Sequence, residues 1–163
     1  MPRRSLFTSH QRATLLSFPS SEEELISYYT FSESDLVMIN QHRGDHNRLG
    51  FAVQLCYLRF PGFALPVSES PPDQLLGFVS NQLHVDIQCW VRYAERLQTR
   101  REHLRELQTF LGLQLFGSNH YQNYMNHLSE LATQSDNGML LATTLINLLR
   151  QNRIIIPAFD VIE

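Results

Sequence analysis

Gln88, Arg92 and Arg96 stand four residues apart, so a helix carrying them would present all three on one face. Gln and Arg are the side chains that pair bidentately with adenine and guanine edges, so the chemistry on offer is readout of a DNA major groove. Five arginines, Arg92, Arg96, Arg100, Arg101 and Arg105, fall within fourteen residues. All 13 basic residues of the chain are Arg and none is Lys. The planar guanidinium fork grips phosphate and guanine by geometry as well as by charge. Glu95, Glu102 and Glu106 are interleaved with these arginines, and the net charge is −3. A solvated helix face laced with ion pairs has the same composition.

The elements that must position these residues read as a helix-turn-helix-like hairpin over 79–96. Such a hairpin needs a small residue where its helices cross, an apolar set at fixed offsets and a tight turn. Ser80 is the small residue, and Val79, Leu83, Val85, Trp90 and Tyr93 are the apolar set. The turn is Leu83 to Asp86, with His84 where Gly is usual. A helix opening at Asp86 and running to about Leu97 would expose Gln88, Val91, Arg92, Glu95 and Arg96. Thr99-Arg100-Arg101-Glu102 reads as a capping box, which would place Arg100 and Arg101 beside free backbone N–H groups able to hold phosphate. Many helical hairpins share this spacing without touching DNA.

A second cluster surrounds the turn Arg43-Gly44-Asp45. Arg43, His46, Asn47 and Arg48 gather at a helix start and suit a phosphate or a turn-locking role. Equally, Asp45 and Asn47 cap the helix and Arg48 pairs with an acid. The helix they open, to about Phe60, is apolar all round and reads as the buried scaffold of the fold. Arg3 and Arg4 form a basic arm suited to a minor groove.

Catalytic readings are poor. Asp35, Asp45, Asp73 and Asp86 sit at helix starts, where capping explains them. His42 and His46 straddle a glycine turn and do not share a helix face as a metal pair would. No Gly-rich phosphate loop, nucleophile elbow or Cys–His zinc spacing occurs, so no enzyme activity, metal, cofactor or small-molecule substrate is expected. Cys56 and Cys89 read as buried free thiols.

Helix signals recur throughout and strand signals are nearly absent, which predicts an all-α bundle of about eight helices. Ser21-Glu22-Glu23-Glu24 and Ser32-Glu33-Ser34-Asp35 are helix starts, Gly112 is a stop, and Asp136-Asn137-Gly138 is a turn. The loop 63–71 suggests a division into subdomains 1–62 and 72–163, the second cut short at its C-terminal end. No apolar run reaches the ~18 residues of a membrane span, and the N-terminus lacks a signal peptide's apolar core. The expected location is the cytoplasm.

Three stretches carry a family resemblance. Arg43-Gly44-Asp45-His46-Asn47-Arg48-Leu49-Gly50-Phe51-Ala52-Val53-Gln54-Leu55-Cys56-Tyr57-Leu58-Arg59-Phe60-Pro61-Gly62 resembles the signature near the N-terminus of the Tn-three family transposases of class II replicative transposons. Thr99 to Leu104 resembles a second family block. Met1 to Ser5 and Ile155 to Ala158 are similar to the mercury-resistance branch. The resemblance implies a parent protein several times longer, whose Asp-Asp-Glu triad lies downstream and outside this chain. It implies binding of double-stranded DNA at the terminal inverted repeats by this N-terminal region. The alternative is a protein-interaction or dimerisation module of the transposase assembly. DNA binding predicts that Arg92, Arg96, Arg100 and Arg101 share one exposed surface. The interaction reading predicts arginines paired with carboxylates or split between faces.

Overall fold

A computed structural model describes residues 6–162 and is all-α, with ten helical segments among them. In chain order these are α1 (Ser9–Leu15), α2 (Glu22–Tyr29), α3 (Glu33–Asn40), α4 (Asp45–Arg59) and α5 (Asp73–Leu83). Then follow α6 (Cys89–Ala94), α7 (Leu97–Leu111), α8 (Ser118–Ala132), α9 (Gly138–Gln151) and α10 (Phe159–Ile162). Beyond helices there is one isolated parallel bridge, between Gln114 and Ile154.

The chain forms two compact units, Phe18–Leu111 and the described residues of Met1–Ser17 with Gly112–Glu163. The packing thus groups α1 with the C-terminal helices, where the sequence suggested subdomains 1–62 and 72–163.

In Phe18–Leu111, α4 is the hub. Every residue from Leu49 to Leu58 is buried, as expected of a helix with no polar face. Helices α2, α3, α5, α6 and α7 all pack against it. Ser21 and Ser32 cap α2 and α3 as their sequences predict. The Asp35 carboxylate completes the α3 box by accepting from Ser32 N at 2.9 Å, and also takes a two-pronged grip from Arg59 at 2.6 and 2.7 Å. Gln82 of α5 closes the backbone between α2 and α3, donating to Tyr29 O and accepting from Phe31 N.

In the other unit, Ala142, Leu145, Ile146 and Leu149 form the buried stripe of α9, against which α1 and α8 pack. Asn137 caps α9 by accepting from Met139 N and Leu140 N. No residue of α8 is fully buried, and Tyr121 and Met125 are exposed.

Candidate nucleic-acid interface

The expected hairpin exists as consecutive helices, but its packing differs from the sequence reading. His84 does take the left-handed conformation that favours Gly, with φ 55, and it ends α5. Asp86 does not open a helix: its carboxylate accepts from Gln88 N at 2.8 Å, and a turn intervenes before α6 begins at Cys89. Helix α6 has six residues, about 9 Å of rise. It rests chiefly on α4, not on α5. The small residue at the close crossing is Gly50, where an added Cβ would fall 2.2 Å from the Tyr93 ring. Ser80, the residue read for that role, is buried and donates to Gly77 O within its own helix.

Helix α7 begins at Leu97, two residues before the expected box, because Arg96 O already accepts from Arg100 N at 3.0 Å. Thr99 therefore lies inside the helix, and the Arg100 N–H is not free for phosphate. The Arg100 side chain is 5% exposed. Its guanidinium donates to Ala94 O, Leu65 O and Pro66 O and lies 6.0 Å from the Trp90 ring centre. A buried cation with its donors spent on carbonyls ties the 63–71 loop to the α6–α7 corner. It is not on a surface that DNA could reach.

Arg92, Arg96, Arg101 and Arg105 are exposed, and so is Gln88. Among the described residues none of these four arginines makes an ion pair with a carboxylate. Glu106 faces His42 at 3.4 Å, and Glu102 accepts from Gln98. Arg92 lies on α6 away from the buried Trp90 and Tyr93, and Arg96 follows in the corner between α6 and α7. Arg101 and Arg105 lie four apart on α7, off the stripe of Arg100, His103 and Leu107.

The fold brings the two sequence clusters together. Arg96 Nη1 lies 3.3 Å from His46 Nε2, a contact across 50 residues of chain. His46 is held below its ordinary value, first by burial and then by the nearby Arg92 and Arg96 charges, with Asp45 acting the other way. Arg43 is exposed in the turn before α4, and its carbonyl accepts from Asn47 Nδ2 at 2.8 Å. Arg48 donates to His42 O and to Asp45 Oδ1, the latter at 3.0 Å. Arg48 thus pairs with an acid and Asn47 ties back the turn, but neither Asp45 nor Asn47 caps α4, whose cap position is Gly44 with no side-chain hydrogen bond, and Arg43 is exposed. Arg3 and Arg4 lie outside the described residues.

Beneath this surface runs a polar network that the sequence did not reveal. Gln54, the one polar residue in the buried run of α4, donates from Nε2 to Arg100 O, which can only accept. The same amide nitrogen donates to the Tyr93 hydroxyl. The Tyr93 hydroxyl also meets His103 Nδ1, 2.9 Å away, with donor and acceptor set by the imidazole tautomer. Burial, with His42 beside it, pushes His103 down from 6.5 to about 4. The unfolded chain therefore takes a proton near pH 6.5 that the folded one refuses until about pH 4. Stability from neutral His103 is complete above pH 6.5 and is lost as pH falls through that window. The loss amounts to about 3 kcal/mol. Urea unfolding at pH 7 and pH 4.5 should show it in the native chain and a flatter response in His103→Gln; equal slopes would contradict it.

Cys56 is buried and Cys89 half-buried, both free thiols. Among the described residues no three His, Cys, Asp or Glu side chains gather as a metal site would require, and no helix is long and apolar enough to cross a membrane.

The chain belongs to the family described as "Domain of unknown function (DUF4158)", which matches residues 6–163. Over all 163 residues it is 51% identical to the transposase for transposon Tn3926 of Escherichia coli. It is 50% identical to the transposase for Tn21 of Escherichia coli and 48% identical to that for Tn501 of Pseudomonas aeruginosa. The chain spans 16% of the length of each relative and corresponds to their N-terminal part. The motifs around Arg43–Gly62 and Thr99–Leu104 thus placed it in the right family.

Proposed function

We propose that the chain is the non-catalytic, double-stranded-DNA-binding N-terminal module of a transposase, and that it reads the terminal inverted repeats of its transposon. The observation that supports this best is the outer face of α6. Trp90 and Tyr93 anchor the helix on α4, while Arg92 and Arg96 face solvent without a carboxylate partner. In this reading Gln88 and Arg92 contact base edges, and Arg96 at their margin holds phosphate together with Arg43, Arg101 and Arg105. Arg100 belongs to the scaffold. The relatives act as transposases, so strand transfer belongs to the remaining five-sixths or so of such a protein.

The test is fluorescence anisotropy of the chain with a labelled transposon-end duplex and a scrambled duplex across a salt series. Preference for the end, with affinity falling steeply as salt rises, is the expected result. Arg92→Ala should weaken end binding about tenfold and erode the preference. Arg101→Ala should weaken both duplexes alike and reduce the salt slope by about one. Failure to bind either duplex at low salt would overturn the proposal.

A second reading rests on the unit containing α8 and α9. An apolar cleft of about 260 Å³ there is lined by Phe7, Met125, Leu128 and Leu141 among others, and Met125 is exposed. Such a face suits a protein contact. Sedimentation of the native chain against Met125→Glu distinguishes it: association abolished by the charge supports an interaction module.

A further inference from the structure

One group on the proposed DNA-binding surface has a charge that is not fixed. The His46 ring folds back over the turn before α4, where a Cβ on Gly44 would fall 2.8 Å from its Cε1. Gly44 has φ +84, so glycine both permits the turn and leaves room for the imidazole. Arginine carries donors and no acceptor, so the contact of Arg96 with His46 Nε2 requires that nitrogen to be unprotonated. The charged groups that act on His46 are Asp45 from α4, Arg92 from α6 and Arg96 from the α6–α7 corner. Asp45 is already held by Arg48. Two guanidinium charges without a carboxylate partner therefore flank an imidazole that burial and those charges together keep neutral.

We infer that His46 and Arg96 form a seat for one phosphodiester group of a DNA backbone, and that His46 takes up a proton from solvent as the phosphate arrives. This rests on the DNA-binding function proposed above. The phosphate charge offsets the repulsion from both arginines, and Arg96 exchanges the imidazole nitrogen for a phosphate oxygen. Nε2, freed from Arg96, gains a proton and becomes a second donor to the same group. Affinity is thereby linked to pH: one proton taken up on binding tightens the complex by at most about tenfold per pH unit.

The experiment measures binding of the transposon-end duplex at pH 8 and pH 6, at fixed ionic strength, for the native chain and His46→Gln. The native chain should bind several-fold tighter at pH 6, and His46→Gln should lose most of that gain. In parallel, the His46 ring resonances of the native chain are titrated by NMR with and without duplex, and the midpoint should rise when DNA is bound. This second arm decides the matter if the variant does not fold. A His46→Gln variant with the native pH dependence, or a His46 midpoint unmoved by bound duplex, overturns the seat and leaves DNA binding standing. A native chain that binds no duplex removes the DNA-binding function, and the seat falls with it.

Discussion

Gly50→Ala is expected to lower the melting temperature by about 10 °C, a loss of about 3 kcal/mol. The substitution adds one methyl group to a helix interior, where alanine is otherwise favoured over glycine by about 1 kcal/mol. Packing reverses that preference. The new Cβ would lie 2.2 Å from three atoms of the Tyr93 ring, less than any real carbon contact. Tyr93 cannot swing aside, because it is fully buried and its hydroxyl is fixed by Gln54 and His103. The strain must pass into the α4–α6 crossing itself, moving the helix that carries Arg92. Urea unfolding followed by the fluorescence of Trp90, the single tryptophan, reports directly on α6. Adding Tyr93→Leu to Gly50→Ala should recover part of the loss, since the two residues are coupled by contact. A Gly50→Ala protein as stable as the native chain would show that the crossing is looser than described.

That crossing also shows where the sequence was legible. Caps and stops are legible because they are encoded within four residues: Ser21, Ser32 and Gly112 stand where their types predict. The buried scaffold helix was equally plain, since ten consecutive buried residues leave no amphipathic pattern to confuse. What failed was partner choice. Ser80 is the small residue close in sequence to α6, whereas the helix that accepts α6 is α4, and its Gly50 is some forty residues away. Nothing local distinguishes the two.

Arg100 failed for a related reason. Among five clustered arginines, composition cannot show which one faces inward, and the three backbone carbonyls that claim Arg100 come partly from a loop some thirty-five residues distant. The link from Arg96 to His46 is likewise tertiary. Both clusters were visible as clusters; their meeting across α4 and α6 was not. Gln54 was the one clue left in the open. A lone amide in a wholly apolar helix must find partners, and it found Tyr93 and Arg100.

The same logic governs the second large effect, at Asp35 and Arg59. Capping alone explains Asp35 in the sequence, yet its side chain is only 3% exposed and carries a full charge. Burial works to raise its carboxyl, and hydrogen bonds from Arg59 and Ser32 more than offset that, holding it below its ordinary value. Removing Arg59 leaves the carboxylate in the same place with only the cap to satisfy it. Arg59→Met should therefore cost about 3–4 kcal/mol at pH 7, well beyond what a surface ion pair would lose. The pH dependence has a definite sign. In the native chain the Asp35 contribution is complete above pH 4 and is lost as pH falls through its lowered folded value. In Arg59→Met the carboxyl has lost its counter-charge, so protonation relieves the variant sooner, and its deficit relative to the native chain should shrink on acidification. Arg59→Met combined with Asp35→Asn should be more stable than Arg59→Met alone, because the amide carries no charge to strand. Urea midpoints for the three proteins at pH 7 and pH 5 decide it. A deficit below about 1 kcal/mol, or a double variant no better than the single, would mean that water reaches Asp35 and that α3 is held to α4 by packing instead.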